Sequence, residues 1–204
     1  MTKSKIDTSI QLARYYDESG KKKTITIKQY NDFLDKQDRD SIADMIYYRL
    51  HSRYIKPFLF KNDQFKKEYK NGFSIMANCC LLIETFQSFK NGWGDSNGKS
   101  GQAFREFFET DKNFIELKSK GKMIFENIRC GILHQGETTN GWRIARNNRL
   151  LVEGKTIDSV VFIKRLEKSL IDYRETLKAA KWDSEPWDNA RTKMRKIISN
   201  CIEL

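Results

Sequence analysis

Two residues of this chain have the types and the spacing to do chemistry together. They are Arg129 and His134, with four residues between them, in the run Phe125-Glu126-Asn127-Ile128-Arg129-Cys130-Gly131-Ile132-Leu133-His134-Gln135-Gly136-Glu137. Histidine titrates near working pH, so it can take up a proton and return it. The planar guanidinium of arginine matches two phosphate oxygens and can offset the charge that grows on them. If RNA is the substrate, the reaction such a pair could serve is attack of a ribose 2′-hydroxyl on the neighbouring phosphorus. RNA brings that nucleophile itself, so the chemistry calls for no metal and no cofactor. His134 would stand in the last helical turn before Gly136, where the negative end of the helix dipole favours an imidazolium. On the residues alone a plainer account competes, with Arg129 a solvated helix arginine and His134 a C-terminal capping residue.

The elements that must position this pair can be read from periodicity. At about 100° per residue, Leu117, Gly121, Ile124, Phe125, Ile128 and Ile132 share one stripe, which predicts the core face of the motif helix. Met123, Cys130 and Leu133 lie on the other side, between Arg129 and His134. Exposed apolar area rimmed by polar groups marks an interaction surface. These three residues are therefore expected at a homodimer interface, whose two-fold axis would gather two copies of the arginine and histidine around one groove. Asn127, one heptad before His134, falls on nearly the same stripe and is expected to support it. Residues 73–90 are apolar on most sides, as in the central buried helix of a bundle. Glu84 is the only acidic residue there. A carboxylate sunk in such a helix needs a cation, and Arg129 is the expected partner. The competing view makes Glu84, Gln87, Ser88 and Asn91 a solvated edge.

The Phe125 to Glu137 run as a whole, preceded by a helix containing Leu81-Leu82-Ile83-Glu84-Thr85, resembles the HEPN superfamily, with its Arg-x4-His signature. The resemblance covers about residues 73–180. It departs from the family at Cys130, where many members carry a small polar residue. The resemblance implies a HEPN-like helical bundle that pairs as a homodimer, and a metal-independent endoribonuclease acting as a toxin or defence component. RNA is then the substrate, with an antitoxin protein as a further partner. His134 would be the general acid and base and Arg129 the phosphate stabiliser, with Glu84 and Asn127 as lesser supports. A non-catalytic HEPN-like module that binds RNA or a nucleotide, as a sensor or adaptor, fits the same features. So does a helical dimerisation protein whose motif residues only cap and pack.

The remaining sequence is consistent with a single domain, 1–204, in which 1–72 forms an N-terminal helical extension. The formal net charge of +11 and pI near 9.4 suit an anionic partner. The excess lies in the flanks: 16 basic and 10 acidic residues in 1–72 and 14 and 9 in 142–204, against 8 and 8 in 73–141. Four cysteines without C-x-x-C spacing, and only two histidines, point away from a zinc site and towards reduced thiols. No run has the apolar length of a signal peptide or membrane span, so a cytoplasmic protein off the membrane is expected.

Along the chain, a strand is predicted at 23–27 and helices at about 28–36, 38–59, 73–90 and 100–110, with the motif helix beginning near Asn113. His51 lies among Tyr47, Tyr54 and Phe58, where packing is the expected role. Trp93 to Ser100 has the lysine and serine of a phosphate loop but a tryptophan where its first glycine belongs, and reads as a helix–helix loop. A strand at Trp142 to Arg146 should turn at Asn147-Asn148 and return through Leu150-Leu151-Val152 as a hairpin. Arg143, Arg146 and Arg149 would there anchor RNA phosphates or simply form its polar face. A helix over 158–180 and one opened by Pro186, after Ser184 as a cap, complete a mainly α-helical bundle with a small β-hairpin after the motif helix.

Overall fold

The computed structural model describes residues 6–17, 19–59, 68 and 70–201. The chain is mostly helical with two small sheets and divides into two compact units. The first takes residues 1–53, 88–95 and 170–204, the second 54–87 and 96–169.

In the first unit, strands β1 (Gln11–Tyr16) and β2 (Lys22–Thr26) pair antiparallel around a turn in which Asp17 Oδ1 accepts from the backbone of Ser19 and Lys21. The strand expected at 23–27 is present as β2, and the otherwise helical extension opens with a second strand that makes it a hairpin. The weak alternation before Lys22 becomes a strand because Leu12 and Ala13 are buried under the helix at Arg39–Leu50. Helix α1 (Ile27–Asp35) starts from a capping box, Thr26 with Gln29. Asp38 caps α2 (Arg39–Leu50) by accepting from Ser41, three residues on. The helical path then widens into a π-turn at His51–Ile55 and tightens at Lys56–Phe58. Helix α7 (Glu185–Ser199) carries Pro186 in its first turn. Ser184 occupies the cap position, but its hydroxyl donates backwards to the Lys181 carbonyl and makes no cap bond. Trp187, fully buried, donates its indole N–H to the Leu177 carbonyl.

The second unit is built on α3 (Gly72–Lys90, to Gln87), α4 (Ser100–Thr110), the motif helix α5 (121–135) and α6 (Ser159–Ala179, to Ser169). A cluster of phenylalanines fills its core, with Phe107, Phe108, Phe114 and Phe162 in edge or tilted contact. The motif helix begins at Gly121 and not near Asn113. Residues Lys112–Leu117 form a separate tight turn, and Ser119, at φ 64°, breaks the path between them.

The strand pairing after the motif differs from the expected hairpin. Strands β3 (Arg143–Ala145), β4 (Leu151–Val152) and β5 (Thr156–Asp158) form a sheet in the order β3-β5-β4, with β3 parallel to β5. The hairpin is β4–β5, turning at Glu153 and Gly154. Asn147 and Asn148 do not bring β4 back onto β3 because their N–H groups are held by the buried Asp158 carboxylate, at 2.5 and 2.8 Å. The other oxygen of Asp158 accepts from Val160 and Val161, so one side chain fixes the loop and caps α6.

Among the described residues no helix is long and apolar enough to cross a membrane.

Candidate active site

The core face read from periodicity is the buried one. Ile124 and Ile128 are fully covered, Gly121 and Gly131 are buried, and Phe125 and Ile132 are half-buried. Met123 and Leu133 are 41% and 40% exposed, Cys130 is half-buried, and His134 is exposed. The apolar outward side with a histidine at its rim is thus present in a single chain.

The middle of the helix is not α-helical. Phe125–Arg129 is a π-turn, in which the Cys130 N–H reaches back five residues to the Phe125 carbonyl. Such a turn inserts one residue into the ladder and rotates everything beyond it relative to the 3.6-residue spacing. Asn127 lies within this turn. Constant stepping put it on the His134 stripe, but it is buried. Its amide donates to the Met123 carbonyl at 2.8 Å, and its oxygen accepts from Thr139 Oγ1 at 3.0 Å and Asn140 Nδ2 at 2.6 Å. With the Thr139 N–H on the Asn127 carbonyl, this side chain clamps the loop after the helix. It makes no hydrogen bond to His134 among the described residues.

The same loop explains two glycines. Gly136, at φ 71°, ends the helix in a left-handed cap, its N–H directed at the Gly131 and Ile132 carbonyls. The chain then folds back so closely that a Cβ on Gly131 would lie 2.4 Å from the Glu137 carbonyl oxygen. Position 131 therefore has no room for a side chain unless the loop moves.

Glu84 and Arg129 meet. The carboxylate, 7% exposed, accepts from Arg129 Nε at 2.8 Å, from Ser100 Oγ at 2.7 Å and from Ser96 Oγ at 3.3 Å. Gln87 and Ser88 are also buried, which rules out the solvated edge. The Arg129 side chain keeps 18% of its exposure and lies 5.6 Å from the Phe125 ring centroid. Burial works against its charge, but the hydrogen bond and charge of Glu84, with Cys130 beside it, hold the guanidinium pKa above its ordinary value. Arg129 is a permanently charged group fixed at its Nε edge.

Ser96 and Ser100 were not singled out in the sequence. They belong to the loop that carried a trace of a phosphate-binding pattern, and in the fold both hydroxyls serve the carboxylate instead. A pairing across 12 and 16 residues leaves no periodic signature, so only the fold could reveal it. Thr139, Asn140 and Asp158 were missed as anchors for the same reason.

The arginines of the post-motif segment are exposed. Arg143 opens β3 and Arg149 precedes β4, while Arg146 Nη2 donates to Asn71 Oδ1. His51 packs in the first unit, stacked 5.3 Å from the Tyr47 ring. All four cysteines are unpaired thiols, and burial pushes those of Cys79 and Cys80 well above the usual range.

No family model matches this chain, and neither a curated protein nor a solved structure matches it.

Proposed function

We propose that this chain is a HEPN-type endoribonuclease that cleaves RNA without a metal and serves as a toxin or defence component. The observation that carries the reading is the buried Glu84 carboxylate holding Arg129 on the same helix that exposes His134 one and a half turns later. His134 takes the proton of the 2′-hydroxyl, whose oxygen attacks the adjacent phosphorus while the bond to the 5′-oxygen breaks. That oxygen leaves with a proton returned by an imidazolium, leaving a 2′,3′-cyclic phosphate and a 5′-hydroxyl. Arg129, tethered at Nε, offsets charge on the non-bridging phosphate oxygens through the rest of its guanidinium. In a homodimer closed over Met123, Cys130 and Leu133, two such pairs would flank one groove. Arg143, Arg146 and Arg149 would hold the backbone without sequence preference.

The test is incubation of the purified protein with end-labelled RNA in a chelator. Cleavage with cyclic or 3′-phosphate ends supports the reading. Activity that vanishes with the chelator and returns with magnesium overturns it.

One observation favours a binding module of the same type. No hydrogen bond orients the His134 ring among the described residues, whereas a general base is normally aimed by a neighbour. RNA or nucleotide binding without cleavage, in the same assay, would select this sensor or adaptor reading.

A further inference from the structure

Strand alternation decides which way each residue of the β1–β2 hairpin in the first unit faces. Ala13, Tyr15, Lys23 and Ile25 share one face, on which the Tyr15 ring stacks against Tyr48 of α2, with centroids 4.3 Å apart and planes 7° from parallel. Arg14, Tyr16, Lys22 and Thr24 share the other, with Arg14 opposite Thr24 and Tyr16 opposite Lys22. Arg14, Tyr16 and Lys22 are all exposed. Tyr16, at 56%, is the one exposed aromatic side chain among the described residues. A single exposed ring asks for no explanation. A ring flanked by two cations on one sheet face has the composition of a nucleic-acid surface.

The charge on this face is not neutralised. Residues 11–26 carry four basic and two acidic side chains. Among the described residues no carboxylate lies within ion-pair distance of Arg14, Lys21 or Lys22. Asp17 is committed to the turn, where its Oδ1 accepts from Ser19 Oγ at 2.6 Å and from the Ser19 and Lys21 N–H groups at 3.1 and 2.9 Å. Its Oδ2 faces Lys23, 3.8 Å away on the inner side. This clasp closes the hairpin, and the Tyr15–Tyr48 stack anchors it, so the outward ring and cations stand on a braced element that loses little freedom on binding. An acidic peptide or an anionic lipid surface would satisfy the cations but bring no flat base to the ring. A single strand of nucleic acid brings both, because its base faces are open and a phosphate follows each of them.

We propose that the outward face of the hairpin binds single-stranded RNA, with one base stacked on Tyr16 and the adjoining phosphates on Arg14 and Lys22. The choice of RNA rests on the proposed function, but none of these residues belongs to the Arg129 site. Every base has a face to stack, so the hairpin holds RNA with little sequence preference.

Fluorescence anisotropy of the full chain with a labelled 2′-O-methyl oligouridine tests the face. The methyl group removes the attacking hydroxyl, so binding is measured whether or not the Arg129 site cleaves RNA. Tyr16→Ala should weaken binding by about tenfold and leave its salt dependence unchanged, as for a lost stack. Tyr16→Phe, which keeps the ring, should bind as the wild type does. Arg14→Gln and Lys22→Gln should each lower the slope of log affinity against log salt by about 0.7, the effect of one phosphate contact on a single strand. Lys164→Gln, the same loss of charge at an exposed residue of α6, should leave affinity and slope as they were. Circular dichroism melting checks that the variants fold, and if Tyr16→Ala does not, Lys22→Gln against Lys164→Gln decides. Wild-type affinity in folded Tyr16→Ala overturns the proposal. So does an equal loss in Lys164→Gln and Lys22→Gln, which would make the attraction a property of net charge, or Tyr16-dependent binding to phosphatidylserine vesicles without Tyr16-dependent binding to RNA. Tyr16-dependent RNA binding by a protein that cleaves no unmodified RNA would support this face and remove the nuclease reading alone.

Discussion

Replacing Glu84 by glutamine isolates the one ion pair on which the candidate site is built. The shape is kept. An amide oxygen can still accept from Arg129, and the serine hydroxyls at 2.7 and 3.3 Å can turn round to accept from the new NH₂ group. What disappears is the counter-charge of a guanidinium that retains 18% exposure. A hydrogen bond between charged groups contributes about 1.5–3 kcal/mol and a neutral one about 1. Breaking a fully buried pair costs about 3–5 kcal/mol, which partial access to water reduces. The expected loss is therefore about 2 kcal/mol, or about 4–8 °C in melting temperature for a chain of this size. Glu84→Gln and Arg129→Met, singly and together, complete a double-mutant cycle read by urea unfolding. Because the second change removes the charge that the first orphans, the two should be non-additive by about 1–2 kcal/mol. Under the proposed function, Glu84→Gln should also lower RNA cleavage more than RNA affinity, since Arg129 is then held less firmly. Additivity within about 0.3 kcal/mol, or an unshifted melting temperature, would show that Glu84 does not hold Arg129 in solution.

Under the proposed function, His134→Ala and Arg129→Ala should each abolish cleavage while most RNA affinity remains, because the basic flanks would supply binding; wild-type cleavage by either variant removes that residue from the mechanism. If the proposed homodimer forms, Leu133→Asp, at a 40% exposed position off the core, should give folded monomers with little activity, since a charge buried unpaired in both subunits would cost several kcal/mol. Light scattering with an RNA assay checks it, and a fully active monomer rejects the shared groove. Gly131→Ala should destabilise by about 1–3 kcal/mol as the Glu137 carbonyl is displaced, and an unchanged melting temperature would mean the loop does not fold back there. The Arg165 hydrogen bond holds the Glu116 carboxyl below its ordinary value, so its stabilisation is complete above 4.5 and fades as pH falls through the lowered native value. The pair is part-exposed, so the effect should stay below about 1 kcal/mol. Arg165→Met should cost that much more at neutral pH than well below the carboxylate range, where it loses only the bond from Arg165 Nη1 to the Asn113 carbonyl. An equal loss at both would assign it to packing.

Features carried by neighbours along the chain could be read from the sequence alone. The long helices at 73–90 and 158–180, the core face through Ile124 and Ile128, the outward Met123 and Leu133, and the glycine stop at 136 follow from side-chain period and local cap chemistry. The need of Glu84 for a cation was also legible, because a single acidic residue in an apolar helix cannot be left uncompensated. Tertiary structure decided everything that depends on distant partners. The π-turn at Phe125–Arg129 has no sequence period of its own, and Asn127 within it is buried in the clamp on Thr139 and Asn140. Pairing of β5 with both β3 and β4 was settled by Asp158 capturing the Asn147 and Asn148 N–H groups, a choice that local turn propensity does not contain. Ser96 and Ser100 became ligands of Glu84, and Tyr15 came to face Tyr48, only when the chain closed on itself. Hydrogen bonds and ring contacts across long sequence separations leave no periodic trace, so the fold alone assigned them.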